Sequence, residues 1–152
     1  LHTNTAAGAV VRLTDMGVER YLITSSVNGV LSQRLVRRLC AQCREPYQPE
    51  PGLLQTSGLA RFMAPGAPLY RAVGCDHCRG SGYSGRTGVH ELLTLDDALR
   101  RAILEGADAS RLHQLAQAGG MLSLYEDGLR KVAAGETSLD EVLRVTEDQS
   151  DA

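Results

Sequence analysis

The sequence predicts an α/β fold with a cysteine-stapled insertion in its middle and a bundle of helices at its C-terminal end. Three observations carry this. Apolar and polar residues alternate over Gln33–Cys40, and Arg86–Leu93 resumes as a strand. All four cysteines fall between or at the edge of those segments, as two CxxC pairs, Cys40–Cys43 and Cys75–Cys78, with 31 residues between them. From Asp96 onward the chain reads as four short helices with glycine stops and Ser-x-x-Glu starts.

In chain order, residues 5–17 carry Ala6, Ala9, Val10, Leu13 and Met16 at helical spacing, with Asn4 or Thr5 to cap the start and Gly17 to close the end. A second helix is expected from Glu19 to Leu31, with Leu22, Ile23, Val27, Val30 and Leu31 on its apolar face. The strand Gln33–Cys40 then sets Leu35, Arg37 and Leu39 on one side and Arg34, Val36 and Arg38 on the other. All five prolines lie between Pro46 and Pro68, so this stretch reads as an irregular excursion holding at most a short helix at Leu53–Phe62. Leu69–Val73 leads as a strand into the second cysteine pair, and Gly80, Gly82, Gly85 and Gly88 make a turn-rich exit. Helices follow at Asp96–Glu105 and Ala109–Ala118. Two capping boxes, Ser123-x-x-Glu126 and Ser138-x-x-Glu141, open the last two, which run to Gly135 and to Val145, and the tail from Thr146 is expected to fray.

Two CxxC knuckles offer four soft ligands, the set that a closed structural Zn²⁺ site takes. Such a site leaves no position for water, so zinc here holds structure and does no chemistry. The alternatives are two disulfides or buried free thiols. Disulfides need an oxidising compartment, and no hydrophobic leader is seen in the sequence. His77, inside the second knuckle, is surplus to a four-cysteine set. His90 is expected buried or half-buried in its strand, and His113 on a helix surface.

Hydrophobic residues make up 43% and charged residues 22%, as in globular chains, and no apolar run reaches the length of a membrane span. With one Phe, five Tyr and no Trp, the core must be aliphatic. Residues 1–90 carry ten Arg against five acids, whereas residues 91–152 carry six bases against thirteen acids. The basic half suits phosphate or acidic lipid, or attraction to the acidic half.

The stretches Leu1-His2-Thr3-Asn4 and Arg12-Leu13-x-Asp15-Met16-Gly17-Val18, then Gln33-Arg34-Leu35-Val36-Arg37, then Gly74-Cys75-x-x-Cys78-x-Gly80-x-Gly82-Tyr83-x-Gly85-Arg86-x-Gly88-x-His90-Glu91-Leu92-Leu93, and Asp127-Gly128-Leu129 through Thr137-Ser138-Leu139-x-Glu141-Val142, together resemble the C-terminal end of the type II secretion ATPases of the GspE type. The type IV pilus assembly ATPases are close relatives, and the two runs Gly88–Leu93 and Thr137–Val142 favour the secretion branch. The resemblance implies the end of a RecA-like P-loop ATPase core over residues 1–39, a zinc-binding insertion over 40–85, and a returning strand with a helical bundle over 86–152. It implies a cytoplasmic hexamer on the inner membrane that uses ATP and Mg²⁺ to drive pseudopilus assembly. Inner-membrane platform proteins and acidic phospholipid are the partners it points to, and nucleic acid is not. It also implies that Leu1 lies inside a longer protein. No G-x-x-x-x-G-K-[ST] phosphate loop occurs in this chain, so it is expected upstream.

By the same resemblance His2 matches the family's His box, whose histidine lies near the γ-phosphate, so His2 is the catalytic candidate. A polar cap is its plain alternative. Four thiolates on Zn²⁺ leave a net charge of −2, which arginines beside the knuckles would offset. Arg38, Arg44 and Arg79 are assigned that role, and Arg34 and Arg86 a subunit interface. Two other classes compete. Cys75-x-x-Cys78-x-Gly80-x-Gly82 fits the zinc-binding repeat of chaperones of the DnaJ type, but the unit occurs once here. A nucleic-acid-binding zinc ribbon would need more aromatic residues than this chain has.

Overall fold

The computed structural model of the chain describes residues 3–147. Helix α1 (Ala6–Asp15) starts where Thr5 caps it, the Thr5 hydroxyl accepting from the Gly8 N–H at 3.0 Å. Helix α2 (Arg20–Ser26) stops well before Leu31. Val27 is already extended, and the Asn28 carbonyl accepts from the Leu95 N–H at 3.0 Å, so a partner distant in sequence captures Gly29–Leu31 for a strand. That strand, β1 (Gly29–Leu39), is hydrogen-bonded to β4 (Tyr83–Thr94). The pair runs antiparallel: Leu95 bonds Asn28 at one end and Cys40 bonds Gly82 at the other. Alternation is not kept to the end of β1, because Val36 and Leu39 are buried while Leu35 is 47% exposed.

The proline-rich stretch holds more order than its composition promises. Strand β2 (Glu45–Tyr47) pairs antiparallel with β3 (Leu69–Arg71), with Pro46 opposite Tyr70. Proline is tolerated because each strand of a two-stranded sheet is an edge. The single helix expected at Leu53–Phe62 is two pieces, α3 (Pro51–Ser57) and a 3-10 turn at Leu59–Phe62, divided where Gly58 takes φ 86°. Helices α4 (Asp97–Leu104) and α5 (Ala109–Ala118) match their expected spans, capped by the Asp96 and Asp108 carboxylates. Helices α6 (Leu124–Ala133) and α7 (Leu139–Glu147) complete the chain, and α7 continues past Val145, with the Thr146 hydroxyl bonded to the Val142 carbonyl.

The contacts divide the chain into two compact units. Among the described residues, one comprises 3–33 with His90–Leu124, and the other Arg34–Val89 with 125–147. The first has a core of Ala6, Ala7, Val10, Ile23, Leu93, Leu99, Ile103 and Leu112, in which α1 and α4 pack on α5. The second is built on Leu59, Leu69, Leu129, Val132, Leu139 and Val142. Of the four C-terminal helices, α4 and α5 supply the first core, and α6 and α7 the second. These units also cut across the segments 1–39, 40–85 and 86–152 drawn from the sequence.

Candidate metal centre

The first knuckle is the turn that ends β1. The Cys40 N–H donates to the Gly82 carbonyl at 2.9 Å, and the Arg44 N–H returns to the Cys40 carbonyl at 3.0 Å. The second knuckle is closed by the Gly80 N–H on the Cys75 carbonyl at 2.8 Å. Its backbone is unusual, since Gly74, Gly80 and Gly82 have φ of 116°, 79° and 82°, and Arg79 takes φ 56° without being glycine. A Cβ on Gly74 would lie 2.7 Å from the Gly80 carbonyl oxygen, and one on Gly82 would lie 2.6 Å from the Ala72 Cβ. Side chains are excluded there so that the chain can fold tightly around the cysteines.

The four Sγ atoms lie within 4.8 Å of one another, and none is in a disulfide. Cys40–Cys75, Cys43–Cys78 and Cys75–Cys78 are each separated by 3.8 Å. A tetrahedron with Zn–S bonds of about 2.3 Å has edges of about 3.8 Å, so these three separations are those that a four-coordinate zinc needs. Main-chain donors serve them: the Gly74 N–H reaches Cys43 Sγ at 3.3 Å, and the Cys75 and Gly82 N–H groups reach Cys78 Sγ at 3.2 Å each. Burial pushes the Cys43 thiol up to about 12 against the Gly74 N–H. Burial acts the same way on Cys78, but the Cys75 and Gly82 N–H groups outweigh it and bring that thiol down to about 6. Sulfurs this close cannot all ionise without a cation among them, so the donor set fits a soft divalent metal.

His77 is exposed, and the cluster is complete without it. Arg44 is directed elsewhere: its guanidinium donates to the Gly135 carbonyl beyond α6 and lies 4.2 Å over the Tyr70 ring. Arg38, Arg79 and Arg86 are exposed and Arg34 is half-buried. His90 is exposed on β4, not buried, because it sits between the inward Val89 and Glu91. His113 is half-buried, not on the surface, and its Nδ1 is buried without a hydrogen-bond partner. His2 lies outside the described residues.

Two carboxylates, Glu91 and the capping-box Glu141, are buried, which the sequence did not indicate. Glu91, 1% exposed, accepts from the Ala6 N–H at 2.8 Å and the Leu124 N–H at 3.3 Å, and so caps the first residues of both α1 and α6. The signal was an acid on the inward side of β4, between Val89 and Leu93. Glu141, also 1% exposed, is bonded by Arg37 and Arg144. Its capping box is formed on the serine side, with the Glu141 N–H on Ser138 Oγ at 3.2 Å, while the carboxylate serves the arginines.

The family model described as Type II/IV secretion system protein matches residues 1–144. Type IV pilus assembly ATPase PilB of Thermus thermophilus is 48% identical over 96% of this chain, which covers 16% of that protein. Type II secretion system protein HxcR of Pseudomonas aeruginosa is 49% identical over 97% of the chain and 28% of its own length. Type II secretion system ATPase E of Vibrio cholerae is 49% identical, with 97% of this chain and 29% of that protein covered. The chain thus spans less than a third of these relatives. With the family match running almost end to end, the chain belongs to the type II/IV secretion system protein family.

Proposed function

We propose that this chain is the C-terminal region of the ATPase that powers type II protein secretion, with a structural zinc ion held by Cys40, Cys43, Cys75 and Cys78. The observation that carries the reading is the family match over residues 1–144, joined to four sulfurs within 4.8 Å of one another. In this reading a RecA-like core upstream of Leu1 supplies the phosphate loop and Mg²⁺ site, and His2 faces the γ-phosphate. The two-stranded β1–β4 sheet, with Leu31, Leu35 and Leu92 exposed, supports a larger sheet as its setting. The ATPase works as a hexamer on the cytoplasmic face of the inner membrane, against platform proteins and acidic phospholipid. Bound zinc would supply cross-linking between the knuckles and no chemistry. The cysteines hold it, the Gly74, Cys75 and Gly82 N–H groups stabilise the sulfurs, and the glycines shape the turn.

The full-length protein is expected to hydrolyse ATP, and residues 1–152 alone to release no phosphate above a buffer control. Zinc analysis under reducing conditions should return one ion per chain. A full-length protein without ATPase activity, or a chain free of metal, overturns the reading. Assembly of type IV pili is the second reading, favoured by the 48% identity to the Thermus protein. Restoring secretion, or piliation, in a strain lacking the corresponding ATPase separates the two.

A further inference from the structure

We propose that the tetracysteine centre is a peroxide-sensitive clasp in which Cys43 and Cys78 become a disulfide that replaces the metal as the link between the knuckles. The inference rests on the zinc reading above and adds what the sulfurs do when oxidised. Three features of the site carry it. Cys43 and Cys75 are half-buried, so an oxidant as small as hydrogen peroxide reaches them, whereas Cys40 and Cys78 are buried. Cys43 has its neighbour across the gap, Cys78 at 3.8 Å, and the pair joins positions 35 residues apart. The second knuckle is tightly packed at Gly74 and Gly82, which admit no Cβ, so Cys78 stays in place for attack once Cys43 is oxidised.

The steps balance without another reactant. Cys43, which a bound metal would keep as its thiolate, attacks one oxygen of hydrogen peroxide, the O–O bond breaks, and a sulfenic acid and hydroxide result. The Cys78 thiolate attacks the Cys43 sulfur, the S–O bond breaks, and a second hydroxide leaves. Two solvent protons turn the hydroxides into water, and two electrons have passed from the sulfurs to peroxide. Side-chain rotation closes the sulfurs from 3.8 Å to a disulfide bond of about 2.05 Å. Only Cys40 and Cys75 remain as ligands, and two sulfurs do not retain zinc at structural affinity. The covalent link spans the same gap as the metal, so the oxidised fold persists.

The test begins with zinc content under reducing conditions. A metal-free protein at this stage fails the zinc reading and this inference with it. Protein that holds zinc is treated with hydrogen peroxide while a metallochromic dye follows release, peptide mass spectrometry maps the disulfides, and far-UV circular dichroism follows the fold. Zinc release in step with a Cys43–Cys78 cross-link, the spectrum kept, is the expected result. The proposal is overturned if zinc is retained, if the disulfide forms within the second knuckle as Cys75–Cys78, if sulfinic acids form without a cross-link, or if the spectrum loses helical signal.

Discussion

Glu141 has no exposed side-chain surface, yet it is charged, because two arginines reach it from the solvent side. Burial disfavours the carboxylate, but the hydrogen bonds from Arg37 and Arg144 outweigh it and hold Glu141 below the ordinary carboxylate value. A carboxylate depressed in the folded state adds stability above its unfolded value, about pH 4.3, and loses it as pH falls through the lower folded value. Arg37 also lies 4.2 Å over the Tyr83 ring, whose hydroxyl meets Ser138 Oγ at 2.7 Å. Arg37→Ala should therefore cost about 1.5–3 kcal/mol at pH 7, the worth of a hydrogen bond to a charged group. Urea unfolding monitored on residues 34–89 should show this penalty shrinking below pH 4 as Glu141 protonates. A penalty independent of pH would assign the loss to the Tyr83 contact alone.

At the scale of the element, the second knuckle depends on where a methyl group fits. Gly82 and Gly66 have similar backbones, φ 82° and 79°, but Gly82 has the Ala72 Cβ 2.6 Å from a built Cβ and Gly66 has nothing within 4 Å. Gly66→Ala should cost only the left-handed backbone, about 1–2 kcal/mol, and leave metal affinity unchanged. Gly82→Ala must also move the Gly82 N–H off Cys78 Sγ, so zinc affinity should fall by about tenfold or more, as losing a partner that orients a ligand does. Competition with a chelating dye compares the two. Equal affinity in both variants would show that the knuckle adapts. Close packing recurs on α6, where a Cβ on Gly128 would lie 2.6 Å from Val142 of α7.

At the scale of the whole molecule, the cysteine cluster and the second hydrophobic core belong to one unit. Zinc binding contributes roughly 10–16 kcal/mol in small zinc-finger peptides. The sequence alone suggests that a chelator would unfold residues 40–85 and spare the terminal helices. The second core changes that expectation, because Leu59 and Leu69 of the excursion pack with Leu129 and Val132 of α6 and Leu139 and Val142 of α7. Chelation should expose α6 and α7 to hydrogen exchange together with residues 40–85, while α1, α4 and α5, which have their own core, keep their protection. Protection of α6 and α7 that survives loss of 40–85 would refute this coupling.

The two CxxC pairs, the cap at Thr5, and the spans of α4 and α5 were legible in the chain, because each depends on residues within a few positions of one another. What sequence could not reach depends on distant partners. Gly29–Leu31 became strand through β4, Pro46 joined a sheet through β3, and the capping-box glutamate turned to an arginine 104 residues away. Cysteine spacing pointed to a candidate metal site, and the four sulfurs do come together; only the tertiary structure decided which helices share the core beside it, since local patterns mark apolar faces without saying which faces meet.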